Sequence, residues 1–395
     1  MRLSELKTGQ SATILNVLGH GGFRRRIMEM GFVRGKRVDV LQNAPLRDPI
    51  KYRIMDYEVS LRRSEAAMIV VITAEEVQQQ LSVAGETLSA PDDADFEEAI
   101  STRSRTINVA LIGNPNSGKT SLFNAISGGH EHVGNYSGVT VDAKRGEYRY
   151  GGYRFVITDL PGTYALSAYT PEELYVRRHL VNDTPDVVVN AVVASNLERN
   201  LYLTTELIDI DPKMVVALNM YDELEASGAV LDYEHLGAML GVPMVPVVAK
   251  TGRGLETLLD TVIAVYENRD PRVRHIHINN GPVVEQALRP LYERLRSDRD
   301  ELPKHFPPRY FAMKLLERDK EVEAQLADCP HFAEWIALRD RAVPQVEEEL
   351  GEDVETAVAN QKYGFIQGAL RETFTPGKRE EASTTALIDT SLRPV

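Results

Sequence analysis

The stretch GNPNSGKT, Gly113 to Thr120, has the residue types that wrap a phosphate chain. It fits the pattern G-x-x-x-x-G-K-[ST], follows the apolar run INVALI and opens the run SLFNAIS. That places it between a strand and a helix, the context the pattern requires. Its glycines let backbone N–H groups approach phosphate oxygens, and the helix N-terminus adds its dipole. Lys119 is expected to reach the β- and γ-phosphates, and the Thr120 hydroxyl to bind Mg²⁺. At average residue frequencies the pattern arises by accident in about one or two chains in a hundred of this length. The candidate cradle is Gly113, Asn114, Pro115, Asn116, Ser117, Gly118, Lys119, Thr120 and Ser121.

Further parts follow in the order a GTP-binding switch needs. In SGVTVDAKRG, Gly138 and Val139 precede Thr140, which could supply a second Mg²⁺ hydroxyl from a loop. Taken alone, Thr140 is an ordinary loop threonine. In DLPGTYAL, Asp159 ends an apolar strand 40 residues after Lys119, placed to hold a Mg²⁺-bound water. Leu160 and Pro161 then lead to Gly162, whose N–H faces the γ-phosphate. In NMYD, Asn219 to Asp222, the Asp222 carboxylate can accept two hydrogen bonds from the N1–H and N2–H₂ edge of guanine. Adenine has no such donor pair, so the site selects GTP and GDP over adenine nucleotides. Met220 stands where lysine is commoner. Val248, Ala249 and Lys250, in VVAKTG, offer a backbone N–H to the guanine O6. By itself, N-x-x-D could equally be a helix cap. A glutamine commonly follows D-x-x-G to hold the attacking water, but here that place is Thr163. Either the nucleotide is not hydrolysed, or another group does the work of the glutamine.

These residues need a framework. A chain of 395 residues has room for two or three domains. The strand runs INVALIG, YRFVITD, DVVVNAVVA, KMVVALN and PMVPVVA alternate with helical stretches over 107–268. That spacing predicts an α/β P-loop domain with a mostly parallel, doubly wound sheet. GEYRYGGYRF predicts an antiparallel hairpin turning at Gly151 and Gly152. Residues 1–73 hold short β-like runs, SATILNVL, KRVDVLQN, KYRIMDYEVSLR and AAMIVVI, and one helical piece, FRRRIMEMG. They predict a small SH3-like β-barrel. Residues 281–375 show apolar spacings of three and four and predict a helical bundle. Residues 74–106 read as an acidic linker with a short helix around 95–101, and residues 376–395 as a mobile tail.

The net charge of −13 argues against nucleic-acid binding. Residues 1–73 hold 13 Lys and Arg against 7 Asp and Glu, while 74–106 hold 2 against 8. The lone Cys329 excludes an intrachain disulfide and fits a partly buried thiol in a reducing compartment. No stretch approaches 18 apolar residues, so the chain as given is expected not to span a membrane. His130 and His132 flank Glu131 and could hold a transition metal, though solvated loop histidines are the plainer reading. Arg24, Arg25 and Arg26 could meet an acidic partner or lipid headgroups, or equally form a solvated helix face.

HVGNYSGVTVD, DLPGTYAL and NMYD closely resemble the G domain of the ferrous-iron transport protein B (FeoB) family, over 107–268. Residues 281–375 resemble that family's helical GDI-like domain, and QKYGFIQGALRE resembles the segment before its first membrane helix. Residues 1–73 resemble the small protein FeoA. The resemblance implies a GTP-hydrolysing regulatory portion of a ferrous-iron transporter, lying at the cytoplasmic face of a bacterial inner membrane. It implies a polytopic membrane domain as partner, Fe²⁺ as indirect substrate, and a capacity to self-associate. Asn116 matches the family's K⁺-ligating asparagine, and the loop from Asn135 to Gly138 would give carbonyls. K⁺ would then supply the electrostatic help of an arginine finger, with water positioned by backbone groups near Gly162 and Thr163 or by a further side chain that the pattern does not name. The implied catalytic set is Lys119, Thr140, Gly162 and Asn116, and the implied metal ligands are Thr120, Thr140, Asp159 and Asn116. The alternative is a regulatory GTPase with an SH3-like interaction or metal-sensing module, not coupled to iron transport.

Overall fold

The computed structural model describes residues 1–18, 26–27, 30–33, 35–43, 48–55, 57–76, 105–128, 131–134, 143–167, 169–303 and 306–377. They fall in two units, Met1–Thr106 and Ile107–Val395.

In the first unit five strands form one sheet in the order β4-β3-β2-β1-β5. They are β1 (Ser11–Val17), β2 (Arg37–Asn43), β3 (Ile50–Ile54), β4 (Tyr57–Leu61) and β5 (Ile69–Ile72). All pairings are antiparallel, as an SH3-like module needs. Alternate residues Ile50, Tyr52 and Ile54 of β3 are buried and join Ile14, Val38, Phe32 and Val71 in the core. The single run KYRIMDYEVSLR is in fact a hairpin, because Met55 takes a left-handed φ of 46° and turns the chain. A short helix, α1 (Arg63–Ala66), was not visible in the pattern. Of the piece FRRRIMEMG only Arg26–Ile27 are described as helical, and Arg24 and Arg25 lie outside the described residues. Arg26 pairs with Glu65. The expected linker helix around 95–101 also lies outside them.

The second unit is built on a seven-stranded sheet, β13-β11-β10-β6-β9-β8-β7. Its strands are β6 (Thr106–Gly113), β7 (Glu131–Gly134), β8 (Ala143–Tyr150), β9 (Tyr153–Asp159), β10 (Val187–Val193), β11 (Met214–Asn219) and β13 (Met244–Pro246). β6, β10, β11 and β13 run parallel, while β8 is antiparallel to both β9 and β7, so the sheet is mixed. The hairpin turns at Gly151 and Gly152, both at positive φ, with Tyr150 opposite Tyr153. Side chains alternate across the sheet. Val187, Val189 and Ala191 of β10 face a core with Phe123, Phe155 and Val262. Val188 and Val192 face a second core that runs on without a break into the helical region. That region comprises α8 (Gly281–Ser297), α9 (Pro308–Leu316), α10 (Lys320–Leu326), α11 (Phe332–Leu350) and α12 (Val354–Thr373). The helices that flank the sheet are α2 (Lys119–Ser127), α3 (Pro171–Asn182), α4 (Leu197–Ile210), α5 (Tyr221–Ser227), α6 (Tyr233–Leu240) and α7 (Leu255–Tyr266).

One run, RYFAMKLLERDKEVEAQLA, divides into α9 and α10 because Arg318 sits at φ 58° and Asp319 caps the next helix through Val322 N–H. A second ribbon, β12 (Val230–Leu231) with β14 (Phe374–Thr375), ties the end of α12 back beside the sheet. No helix among the described residues is long and apolar enough to cross a membrane.

Candidate nucleotide site

The parallel strands end together, and the loops that leave them meet at one edge, the usual place for a ligand in such a sheet. β6 ends at Gly113, where a Cβ would stand 2.6 Å from the Ala191 carbonyl oxygen of β10. The loop then needs two left-handed residues, Asn116 (φ 65°) and Gly118 (φ 74°). Asparagine is one of the few non-glycine residues that tolerates this conformation. Gly118 has no such latitude, since a Cβ there would stand 2.3 Å from Asn219 Nδ2. α2 starts at Lys119 immediately afterwards.

Lys119 Nζ donates to Asp159 Oδ1 at 2.8 Å, and Thr120 Oγ1 donates to Asp159 Oδ2 at 3.0 Å. The Lys119 and Asp159 side chains are 10% and 7% exposed, so an ammonium and a carboxylate meet in a nearly dry place, with the hydroxyl of the exposed Thr120 at its edge. Two buried loop atoms, Asn114 Oδ1 and Ser117 Oγ, have no hydrogen-bond partner among the described residues. A cradle with a buried ammonium, a hydroxyl and a carboxylate suits an Mg²⁺-bound polyphosphate.

Asn219 braces the loop. Its Nδ2 donates to the Ser117 carbonyl at 2.9 Å, and its Oδ1 accepts from Ala249 N–H at 3.2 Å. It therefore ties the phosphate loop to the VVAKTG loop. Met220 turns the chain at φ 55° into α5, and Asp222 lies exposed in its first turn. Val248 and Ala249 are buried and Lys250 is exposed.

In DLPGTYAL, Leu160 N–H donates to Leu111 O, which carries Pro161 and Gly162 across the phosphate loop. A Cβ on Gly162 would stand 2.9 Å from Pro115 Cα, so only glycine fits. Thr163 is turned inward at 2% exposure. Its hydroxyl donates to Ala165 O at 2.6 Å, and its N–H donates to Gly113 O at 3.1 Å. The Thr163 side chain and N–H are thus both engaged in holding this loop. Gly138, Val139, Thr140 and the carbonyl loop 135–138 lie outside the described residues, as do His130 and the side chain of His132. Asn116 is exposed at the tip of the phosphate loop.

Several residues around the site had no sequence signal. Asn114 Nδ2 donates to Arg199 O of α4 at 3.4 Å, and the Arg199 guanidinium lies 4.3 Å from the Tyr164 ring centroid. Arg177 of α3 donates to Leu166 O at 3.4 Å and to Asp319 Oδ2, at the start of α10, at 2.7 Å. Tyr169 Oη donates to Glu355 of α12 at 2.6 Å. The segment after Asp159 thus touches the helical region directly. Behind it, buried Lys362 of α12 pairs with Glu206 and with Asp209 (2.7 Å), both on α4. Lys314 of α9 lies 3.6 Å from Glu206 and 2.7 Å from Glu317.

Comparison with known proteins agrees with this geometry. Residues 107–262 match the family described as ferrous iron transport protein B, 1–73 match the FeoA domain, and 281–375 match the FeoB cytosolic helical domain. The GDP-bound structure of a mutant S. thermophilus FeoB G-domain superposes with a TM-score of 0.62 at 35% identity, covering 68% of this chain and all of that one. The chain belongs to the FeoB family. It joins FeoA, G and helical segments in one polypeptide. The FeoA–FeoB fusion protein of Porphyromonas gingivalis is 47% identical over 98% of this chain and 49% of its own length. The FeoB of Methanocaldococcus jannaschii is 35% identical over 72% of this chain and 41% of its own. The chain thus spans about half the length, or less, of these two relatives.

Proposed function

We propose that the chain binds GTP and GDP with Mg²⁺ and hydrolyses GTP slowly with K⁺ stimulation, as the cytosolic regulatory portion of a ferrous-iron transporter. Its partner is a polytopic membrane domain at the cytoplasmic face of the bacterial inner membrane, with Fe²⁺ as an indirect substrate. The observation that carries this reading is the convergence of Lys119 and Thr120 on Asp159. The Lys119 ammonium exchanges part of its contact with Asp159 for terminal phosphate oxygens. The Gly162 N–H bears on the same phosphate. Thr120 and Asp159 would hold Mg²⁺, with Thr140 as the second hydroxyl, and Asn116 would take part in holding K⁺. The bound cations supply positive charge where negative charge builds on the phosphate oxygens. Thr163 holds its loop through Ala165 O and Gly113 O, so water is positioned by another group. Asp222 sets the base preference. Pairing of Arg177 with both Leu166 O and Asp319 gives the nucleotide segment a route to the helical region.

Titration with a fluorescent GDP tests the site. GDP and GTP should displace the probe and ATP should not, and Lys119→Ala should lose binding by ten-fold or more. Displacement by ATP as strong as by GTP would remove the guanine assignment.

A further inference from the structure

α7 is joined to α8 by a stretch that contains RHIHINN, Arg274 to Asn280. His275 and His277 are two residues apart, and their rings converge. The centroids are 4.4 Å apart with planes at 83°, and the two Nε2 atoms are 3.2 Å apart. On the other side of His275, Nδ1 lies 2.9 Å from Asp211 Oδ2. An ionised carboxylate only accepts, so Nδ1–H of His275 donates to it, and the Nε2 contact is then a hydrogen bond from His277 Nε2–H to His275 Nε2 whose proton a bound ion would displace. A carboxylate behind one imidazole nitrogen, leaving the other free, is the arrangement that orients metal-ligating histidines. An ion bonded to nitrogen at about 2.0–2.1 Å with tetrahedral angles holds two such atoms about 3.3–3.4 Å apart. The observed spacing is within about 0.2 Å of that bite, the tolerance expected of a real site.

We propose that His275 and His277, oriented by Asp211, form a binding site for a first-row divalent transition ion that favours imidazole, completed by water. Asp211 supplies negative charge beside His275, while Asp209 is already paired with Lys362 at 2.7 Å and Arg309 with Glu285. Asp298, Glu301 and His331 also cluster, with ligand atoms within 4.8 Å of one another. There, however, Asp298 Oδ2 already accepts from Trp335 Nε1 at 2.8 Å and faces Arg294 at 2.7 Å. Glu301 is held by His331 Nδ1 at 2.6 Å. Its carboxylates are thus already held by protein partners, and the cluster serves as the control.

The test is calorimetric titration of the full chain with Zn²⁺ in excess Mg²⁺, and with Co²⁺ followed by its visible absorption. One ion per chain is expected. His275→Ala and His277→Ala should each weaken binding ten-fold or more, and Asp211→Asn about ten-fold. Asparagine tolerates the φ of 59° at position 211, so that variant should fold. His331→Ala should change nothing. Melting curves of the two histidine variants should match the parent, since both rings are exposed. Absence of Zn²⁺ uptake by the parent would overturn the proposal. So would uptake that survives in the double histidine variant or vanishes in His331→Ala.

Discussion

Lys362 is 1% exposed, yet it carries an ammonium between two carboxylates of α4. Burial alone would push the Glu206 carboxyl up, but Lys314 and Lys362 outweigh it and bring it from 4.5 down to about 2. A drop of that size corresponds to about 3 kcal/mol of stabilisation for the charged form. Removing one partner of a buried ion pair costs about 3–5 kcal/mol, because the other charge is left behind. Lys362→Met keeps the chain length and the helix propensity but removes the charge. It should therefore destabilise the fold by about 3 kcal/mol, a fall in Tm of roughly 6–10 °C. Adding Glu206→Met should recover part of the loss, because no unpaired carboxylate then remains. The folded pKa of Glu206 is depressed, so its contribution is complete above the unfolded value of 4.5 and disappears as pH falls toward 2. The gap between parent and Lys362→Met should accordingly be the same at pH 6 and pH 8. Chemical denaturation at both pH values is the assay. A loss under about 1 kcal/mol, or a double variant as unstable as the two single losses added, would refute the reasoning.

Two further outcomes concern the nucleotide site. Gly118→Ala places a Cβ against Asn219 Nδ2 at a φ of 74°, which costs at least about 1–2 kcal/mol before the clash. GDP affinity should fall ten-fold or more by fluorescence titration, with a lower Tm. Asp222→Asn replaces an acceptor-only carboxylate by an amide with one acceptor and one donor group. Affinity for GDP should drop about 10- to 100-fold, equivalent to one charge-assisted hydrogen bond, and affinity for xanthosine diphosphate should rise.

The site was legible because its parts are short and their spacing is fixed by strand ends. Gly113 to Thr120, Asp159 and Asn219 each follow an apolar strand run, and the sheet brings those ends together. What those side chains bind to was less visible. Asn219 holds Ser117 O and Ala249 N–H, and Thr163 turns inward, choices made by tertiary packing that no local pattern encodes. The link to the helical region was invisible for a related reason. Glu206, Lys314 and Lys362 look like solvent-facing charges on amphipathic helices, and only the packed helices reveal them as buried partners. The two breaks at Met55 and Arg318 rest on left-handed residues that are not glycine, so the turn signal was absent. β12 and β14 are two residues each, too short for alternation to register.

Steady-state GTP turnover in matched K⁺ and Na⁺ buffers, for the parent and for Asn116→Ala, bears most directly on how DLPGTYAL works without a glutamine. Turnover faster in K⁺ than in Na⁺, with that difference abolished in Asn116→Ala, is the predicted result. Equal rates in the two salts would contradict a K⁺-assisted site, and no turnover in either would contradict hydrolysis by this chain.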